Sequence, residues 1–400
     1  MAAIMRRGSC NAEALKQVIC KFAKKNVDVS NPLPEPATAR GNNFVSDAWR
    51  IGYLVSENGK VHQDSVIVKA RPENEAQNAL MHTDIAFKNE ILAYEEVIPT
   101  LNKYVCAPMR VPKYIHGDPS TVVLEDMSNS GFESANKKLA TEWNLVWSPI
   151  QEMAKLHAAS ITMQHLDKAN FDSLKNKIIE VPLPESTPLG DKQATVLDTI
   201  LGVLGERKEA EKYTKLIEEL KKDAWREQKE IVQKDVPIRV INHGSLWVNN
   251  TLYRGDLITI LDLQHIVYST PATDLSFFLY VNLEPEFLSN NRKSILEYYL
   301  LNLHQNITDK LGCIESKDVV VPLNYGWIDQ ELRRCSLYAY MMAQWIMPVL
   351  YWSDAVYNQL ENIGGLENLA IPQRLSYLTP EQKDRIIKLT KLFAAESSKY

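Results

Sequence analysis

Cysteine is scarce and unpatterned: Cys10, Cys20, Cys106, Cys313 and Cys335 are spread over 400 residues. No CxxC pair or Cys/His cluster marks a zinc site, and an odd, scattered set cannot frame a secreted disulfide scaffold. A reducing cytoplasm suits such a chain. The first twenty residues hold Arg6 and Arg7 but no long apolar stretch before Glu13, so a secretory leader is not expected. On that reading the sequons at Asn249 and Asn306 are chance matches. A basic surplus is missing as well. The net charge is −5, and nucleic acid is not an expected partner. The uncharged run from Cys335 to Trp352 comes close to the length of a bilayer span. It contains Ser336, Gln344 and Pro348 between Arg334 and Asp354, so it reads as a buried helix and no membrane span is expected.

What is present is an ordinary globular composition, 45% hydrophobic and 24% charged, over a length beyond the usual single core. Two lobes are expected. Residues 11–23 have the pattern of a short amphipathic helix. Asp28 to Arg40 carries Pro32, Pro34 and Pro36, which argues for an extended arm without regular structure. Gly41 to Ser46 reads as a turn feeding a strand, and Asn58-Gly59 as the tight turn of a hairpin returning through Ser65 to Lys69. A small, amide-rich turn can offer N–H groups to phosphate oxygens, although a plain hairpin explains Gly41 equally well.

Lys69 ends the apolar run Val66-Ile67-Val68, and a buried lysine is costly without a carboxylate or phosphate beside it. Helical spacing from Asp84 to Ile98 puts Phe87, Ile91, Tyr94 and Ile98 on one face, with Glu90 at its border. A Lys69–Glu90 pair is either a structural salt bridge or the pair that holds nucleotide phosphates in kinases. Strands are expected at Pro112–His116 and Thr121–Leu124, with His116-Gly117-Asp118 as a hairpin turn between them. After Glu125-Asp126-Met127 the pattern changes from strands to helices, so the lobe boundary is set near residue 127. The long helix Glu142–Ser160 carries His157, read as a satisfied core histidine and not a catalytic one. A proline-rich loop at 181–190 precedes helices at Thr195–Leu204 and Ala210–Val232. Further helices are expected at Tyr298–Leu303, Glu331–Tyr351 and Gln382–Ser397. The aromatics Trp327, Tyr338, Tyr340, Trp345, Tyr351 and Trp352 either line a lipophilic pocket or are core.

The chemistry is concentrated in Ile241-Asn242-His243-Gly244-Ser245-Leu246-Trp247-Val248-Asn249-Asn250, followed by Leu261-Asp262-Leu263-Gln264 at the end of an apolar run. These segments, with Leu124-Glu125-Asp126 and Leu156-His157-Ala158, resemble the insect ecdysteroid kinase-like (CHK kinase-like) family, within the choline kinase and aminoglycoside phosphotransferase group. The resemblance covers nearly the whole chain. It implies an α+β, two-lobed protein kinase-like fold, with a small β-rich N-lobe (1–127) and a large, mainly helical C-lobe (128–400). It implies ATP and Mg2+ as cofactors. Asn43, Phe44, Ser46, Lys69, Glu90, Glu125 and Met127 would then surround the nucleotide, and Asn250 and Asp262 would hold the metal, a hard cation that takes oxygen ligands. His243 and position 245 would serve catalysis.

Two positions depart from the family pattern. Leu263 replaces an aromatic residue, a mild change. Ser245 replaces the catalytic aspartate, and a serine hydroxyl cannot accept a proton at neutral pH. Loss of a general base costs about 10²–10⁴ in rate. Metal and positioning still carry much of phosphoryl transfer. The expected protein is therefore an ATP-dependent kinase of impaired activity, acting as a monomer on a hydroxyl of an ecdysteroid or similar lipophilic alcohol. The alternative is an inactive pseudokinase that binds nucleotide or a lipophilic ligand. A cationic acceptor such as choline would want an acidic cleft, and the C-terminal half has no obvious acidic cluster. No Ala-Pro-Glu segment follows Asp262, so protein-kinase activity is not expected. Asp274 is expected to brace the loop and not to stand in as base.

Overall fold

A computed structural model of the chain describes residues 4–6, 9–24, 27–37, 46–57, 59–73, 75–135, 143–181, 189–351, 355–356, 359 and 369–397. Five antiparallel strands organise its N-terminal third: β1 (Asp28–Pro36), β2 (Asp47–Glu57), β3 (Lys60–Ala70), β4 (Tyr114–Asp118) and β5 (Thr121–Glu125), in the order β1-β2-β3-β5-β4. The β2–β3 hairpin turns at Gly59, whose φ of 76° suits glycine.

The proline-bearing segment is the sheet's edge strand, not an irregular arm. Residues two apart on a strand present their N–H groups to the same side. Ala37 shares its parity with Leu33 and Glu35, and it donates inward to the Ala48 carbonyl at 2.9 Å. Pro34 and Pro36 therefore place their missing donors on the open side, where no ladder bond is lost. Pro32 lies where the register shifts, between Ser30 and Leu33. His116-Gly117-Asp118 likewise lies on strand β4. The turn falls at Pro119-Ser120, where the Asp118 carboxylate accepts the Ser120 amide at 2.8 Å.

Alternation along β3 gives the sheet two faces. Val66 and Val68 point to an outer core closed by the helix α1 (Ala12–Ala23), through Leu15, Val18 and Ile19. Asn11 caps that helix by accepting from the Ala14 amide. Ile67 and Lys69 point the other way, toward α2 (Thr83–Leu92), which continues through a π-helical turn at Ala93–Val97 to Leu101. Phe87, Tyr94 and Ile98 are buried as their spacing predicts; Glu90 is inside that face, not at its border.

Beyond a 3-10 turn at Met127–Ser130 the chain is mainly helical, with α3 (Trp143–Leu166), α4 (Leu189–Gly205) and α5 (Thr214–Gln233). Short strands β6 (Glu133–Ser134), β7 (Val240–Asn242), β8 (Thr251–Arg254), β9 (Leu257–Ile260) and β10 (Val267–Ser269) build the site. Helices α6 (Ala272–Asn282), α7 (Pro285–Leu311), α8 (Tyr325–Arg334), α9 (Ser336–Tyr351) and α10 (Pro380–Glu396) complete the region. The aromatics of α9 belong to the core. Tyr340 is fully buried, stacks on Phe393 at 4.7 Å and bonds Thr390, and Trp345 packs against the same cluster. Trp352 lies outside the described residues. Among the described residues, no helix is long and apolar enough to cross a membrane.

Candidate functional site

Lys69 meets two carboxylates where the sheet faces the helical region. Its ammonium donates to both oxygens of Glu90 at 2.7 Å and also to Asp262. Burial alone would depress the lysine, but Asp262 and Glu90 outweigh it and hold its pKa above the ordinary value. Burial pushes Glu90 up to about 7 against the pull of Lys69. Asp262 is held low, because Lys69 overcomes the same desolvation.

Asp262 sits in the left-handed region, with φ 63° and ψ 59°, a costly conformation for a non-glycine residue. It lies two residues beyond β9, and Gln264 donates to its second oxygen at 3.1 Å. The loop before it is tied to the same point. The Leu261 amide donates to the Asn250 carbonyl at 2.9 Å, and His243 Nε2 lies 2.9 Å from the Leu261 carbonyl. With Nε2 donating, Nδ1 is free to accept the Ser245 amide at 3.3 Å. Burial lowers the His243 pKa, consistent with that neutral ring. His243 is thus a strut within the loop.

Gly244 has no substitute. Its φ is 81°, and a Cβ there would lie 2.0 Å from the His265 carbonyl oxygen. Asp274, at the start of α6, accepts the amides of His243 and Gly244, each at 2.7 Å. It is completely buried and also faces His157 at 3.3 Å, whose other ring nitrogen lies 2.9 Å from the Tyr299 hydroxyl. Burial would raise Asp274, but His157, His243 and the backbone amides hold it low. Fully buried and with both oxygens engaged, Asp274 braces the loop.

Ser245 is half-buried beside Asn250, whose amide nitrogen donates to the Ser245 carbonyl at 2.9 Å and reaches its hydroxyl at 3.5 Å. That leaves the Asn250 oxygen, the atom a hard cation needs. Among the described residues no carboxylate bonds the Ser245 hydroxyl, and no group of three or more His, Cys, Asp or Glu could cage a metal. A cation at Asn250 and Asp262 would complete its shell with oxygens from water or a ligand.

A cleft of about 320 Å³ adjoins these groups. Ala48, Ile67, Leu124 and Leu252 give it apolar walls, Glu125 and Met127 line one end, and Lys69, Asn250 and Asp262 the other. Of the remaining expected residues, Ser46 is buried at the head of β2, and Asn43 and Phe44 lie outside the described residues. Sequence reasoning missed Arg50 and Phe132, and gave Asp126 no role of its own within Leu124-Glu125-Asp126; all three line the cleft. Asp126 accepts Arg50 Nε and the Ser65 hydroxyl, both at 2.7 Å, and so ties the end of β5 to β2 and β3. Arg254 lies over the Phe132 ring at 4.9 Å.

The ecdysteroid kinase-like family matches residues 40–312, which span every element of this site. The chain belongs to the ecdysteroid kinase-like family. No curated protein matches it. Among solved structures, a macrolide 2′-phosphotransferase from Brachybacterium faecium is similar at 13% identity and a TM-score of 0.40, over 92% of this chain and 98% of that one. A choline kinase from Cryptosporidium parvum is similar at 11% identity and a TM-score of 0.41, over 94% and 95%. A Plasmodium vivax ethanolamine kinase reaches 13% and 0.40, over 95% and 98%. At such low scores these likenesses carry no weight beside the family match.

Proposed function

We propose that this kinase-like protein binds Mg–ATP in the 320 Å³ cleft and phosphorylates, slowly, a hydroxyl of an ecdysteroid or similar lipophilic alcohol. The observation that carries this reading is Lys69 held between Glu90 and Asp262 at one end of a cleft whose other end is lined by Glu125 and Met127. In this reading residues 1–127 form the nucleotide-binding lobe and residues 128–400 the catalytic one. Mg–ATP, when bound, supplies the phosphoryl group and the charge that neutralises its oxygens. Asn250 and Asp262 are the residues that would hold the cation, and Lys69 would face the phosphates. Glu90 keeps Lys69 aimed, while His243 and Asp274 fix the loop. Ser245 can orient an acceptor hydroxyl by hydrogen bonding but cannot take its proton.

That deficit favours a second reading, a nucleotide or lipophilic-ligand binder without turnover. Ser245→Asp separates the two. Mg–ATP and a hydroxylated steroid are incubated with each protein, and phosphate transfer is measured. The variant is expected to gain about 10²–10⁴ in rate with nucleotide affinity little changed. Transfer by the variant with none by the wild type would leave only the binder. If neither protein binds nucleotide by calorimetry, the proposed function fails.

A further inference from the structure

A second cavity lies on the outer side of the sheet, away from Lys69, and the proposed reaction makes no use of it. It encloses about 460 Å³ between the end of α1 and strands β2, β3 and β4, within the size range of small-molecule sites. One wall is apolar, with Ile19, Val27, Val55, Val66 and Ile115. Phe22 stands at its edge, 44% exposed, and offers an apolar face to the opening. The other wall is polar, with the carboxylates of Asp64 and Glu125 and the amide of Asn129. The Lys113 ammonium lies 3.6 Å from Glu125 and offsets one of the two negative charges.

We propose that this cavity is an effector site for a small, uncharged alcohol with an apolar ring body. The ring would cover the Phe22 wall, and the hydroxyl would donate to Asp64 or Glu125, which offer acceptors and little net charge. The site is wired to the nucleotide cleft. Glu125 lines both cavities. Asn129 donates to Asp64 at 3.1 Å, and Ser65 beside it donates at 2.7 Å to Asp126, the carboxylate that also anchors Arg50 of the cleft. A ligand competing for Asp64 would loosen Asn129 and shift this segment, so each site must alter the other's affinity by the same factor. Binding at the outer cavity does not depend on the proposed function; its effect on nucleotide does.

The probe is 2-naphthol, an aromatic ring with a single hydroxyl. Saturation-transfer NMR on the full chain, with a non-hydrolysable ATP analogue at saturation, is expected to keep the naphthol signal. Phe22→Glu, on an exposed side chain where folding is little affected, should weaken naphthol about tenfold, as expected for losing one phenyl face. Ala23→Trp, which places an indole in the cavity and narrows it, should also weaken the signal. Naphthol should also change the analogue's Kd about fivefold, read by calorimetry. Displacement of naphthol by the analogue, absence of any signal, wild-type binding by both variants, or an unchanged Kd would each overturn the proposal. A wild type that binds naphthol but no nucleotide would refute the proposed function and leave the naphthol arm readable on its own.

Discussion

The two sides of the cleft have been treated differently by this sequence. On the proposed nucleotide side, Lys69, Glu90, Asp262 and Asn250 are all present and interlocked, with bonds between sheet, helix and loop. On the proposed acceptor side, the one position that would take a proton carries Ser245, while its supports His243, Gly244 and Asp274 remain in place. The scaffold of the loop and the chemistry of the loop are thus separable. Holding the loop takes buried hydrogen bonds, which stabilise the fold whether or not a reaction follows. Accepting a proton takes one carboxylate, which the fold does not need.

Three substitutions would sharpen or break that contrast. Lys69→Met should have the largest effect, leaving Glu90 and Asp262 without a counter-ion. A loss of about 3–5 kcal/mol in chemical denaturation, together with loss of nucleotide binding, is expected. Retained affinity in that variant would mean that the nucleotide side is not the binding side. Gly244→Ala should cost about 2 kcal/mol or more, since its Cβ would collide with the His265 carbonyl at a backbone angle alanine disfavours. A Tm within error of the wild type would show that the loop is not held as tightly as its hydrogen bonds imply.

Glu90→Gln should be the mildest. The folded carboxyl is pushed up to about 7 from an ordinary 4.5, so the native state binds the extra proton between those values. Wild-type stability should therefore fall as pH rises from about 4.5 to about 7, and the variant should lack that slope. A denaturation series across the window reads the difference. Parallel profiles would mean that Lys69 fully compensates Glu90.

Much of the site was legible because its residues fall in motifs whose spacing reflects chemistry. Lys69 announced a need for a partner by ending an apolar run, and Asp262 did so by closing another. The edge strand was misread because proline counts against a strand unless its missing donor points outward, and parity in a sheet is known only once the neighbour is known. The reading of His116-Gly117-Asp118 as a turn failed by two residues for a similar reason: pairing with β5 extends the strand past its apolar stretch. The pairing of Arg50 with Asp126 carried no signal, because it joins residues 76 positions apart, although Asp126 itself stands in the phrase Leu124-Glu125-Asp126. The aromatic pattern of α9 left core and pocket open, and the stacking of Tyr340 on Phe393 assigns that position to the core.

The prolines of β1 have a consequence beyond their own strand. A sheet edge is normally a template on which another chain can add a strand. Here the exposed side of β1 lacks the donors at Pro34 and Pro36 that such a strand would need. The strand leading into the segment expected to cover the phosphates therefore cannot easily be captured by a second molecule, which leaves β4 as the other edge of this sheet.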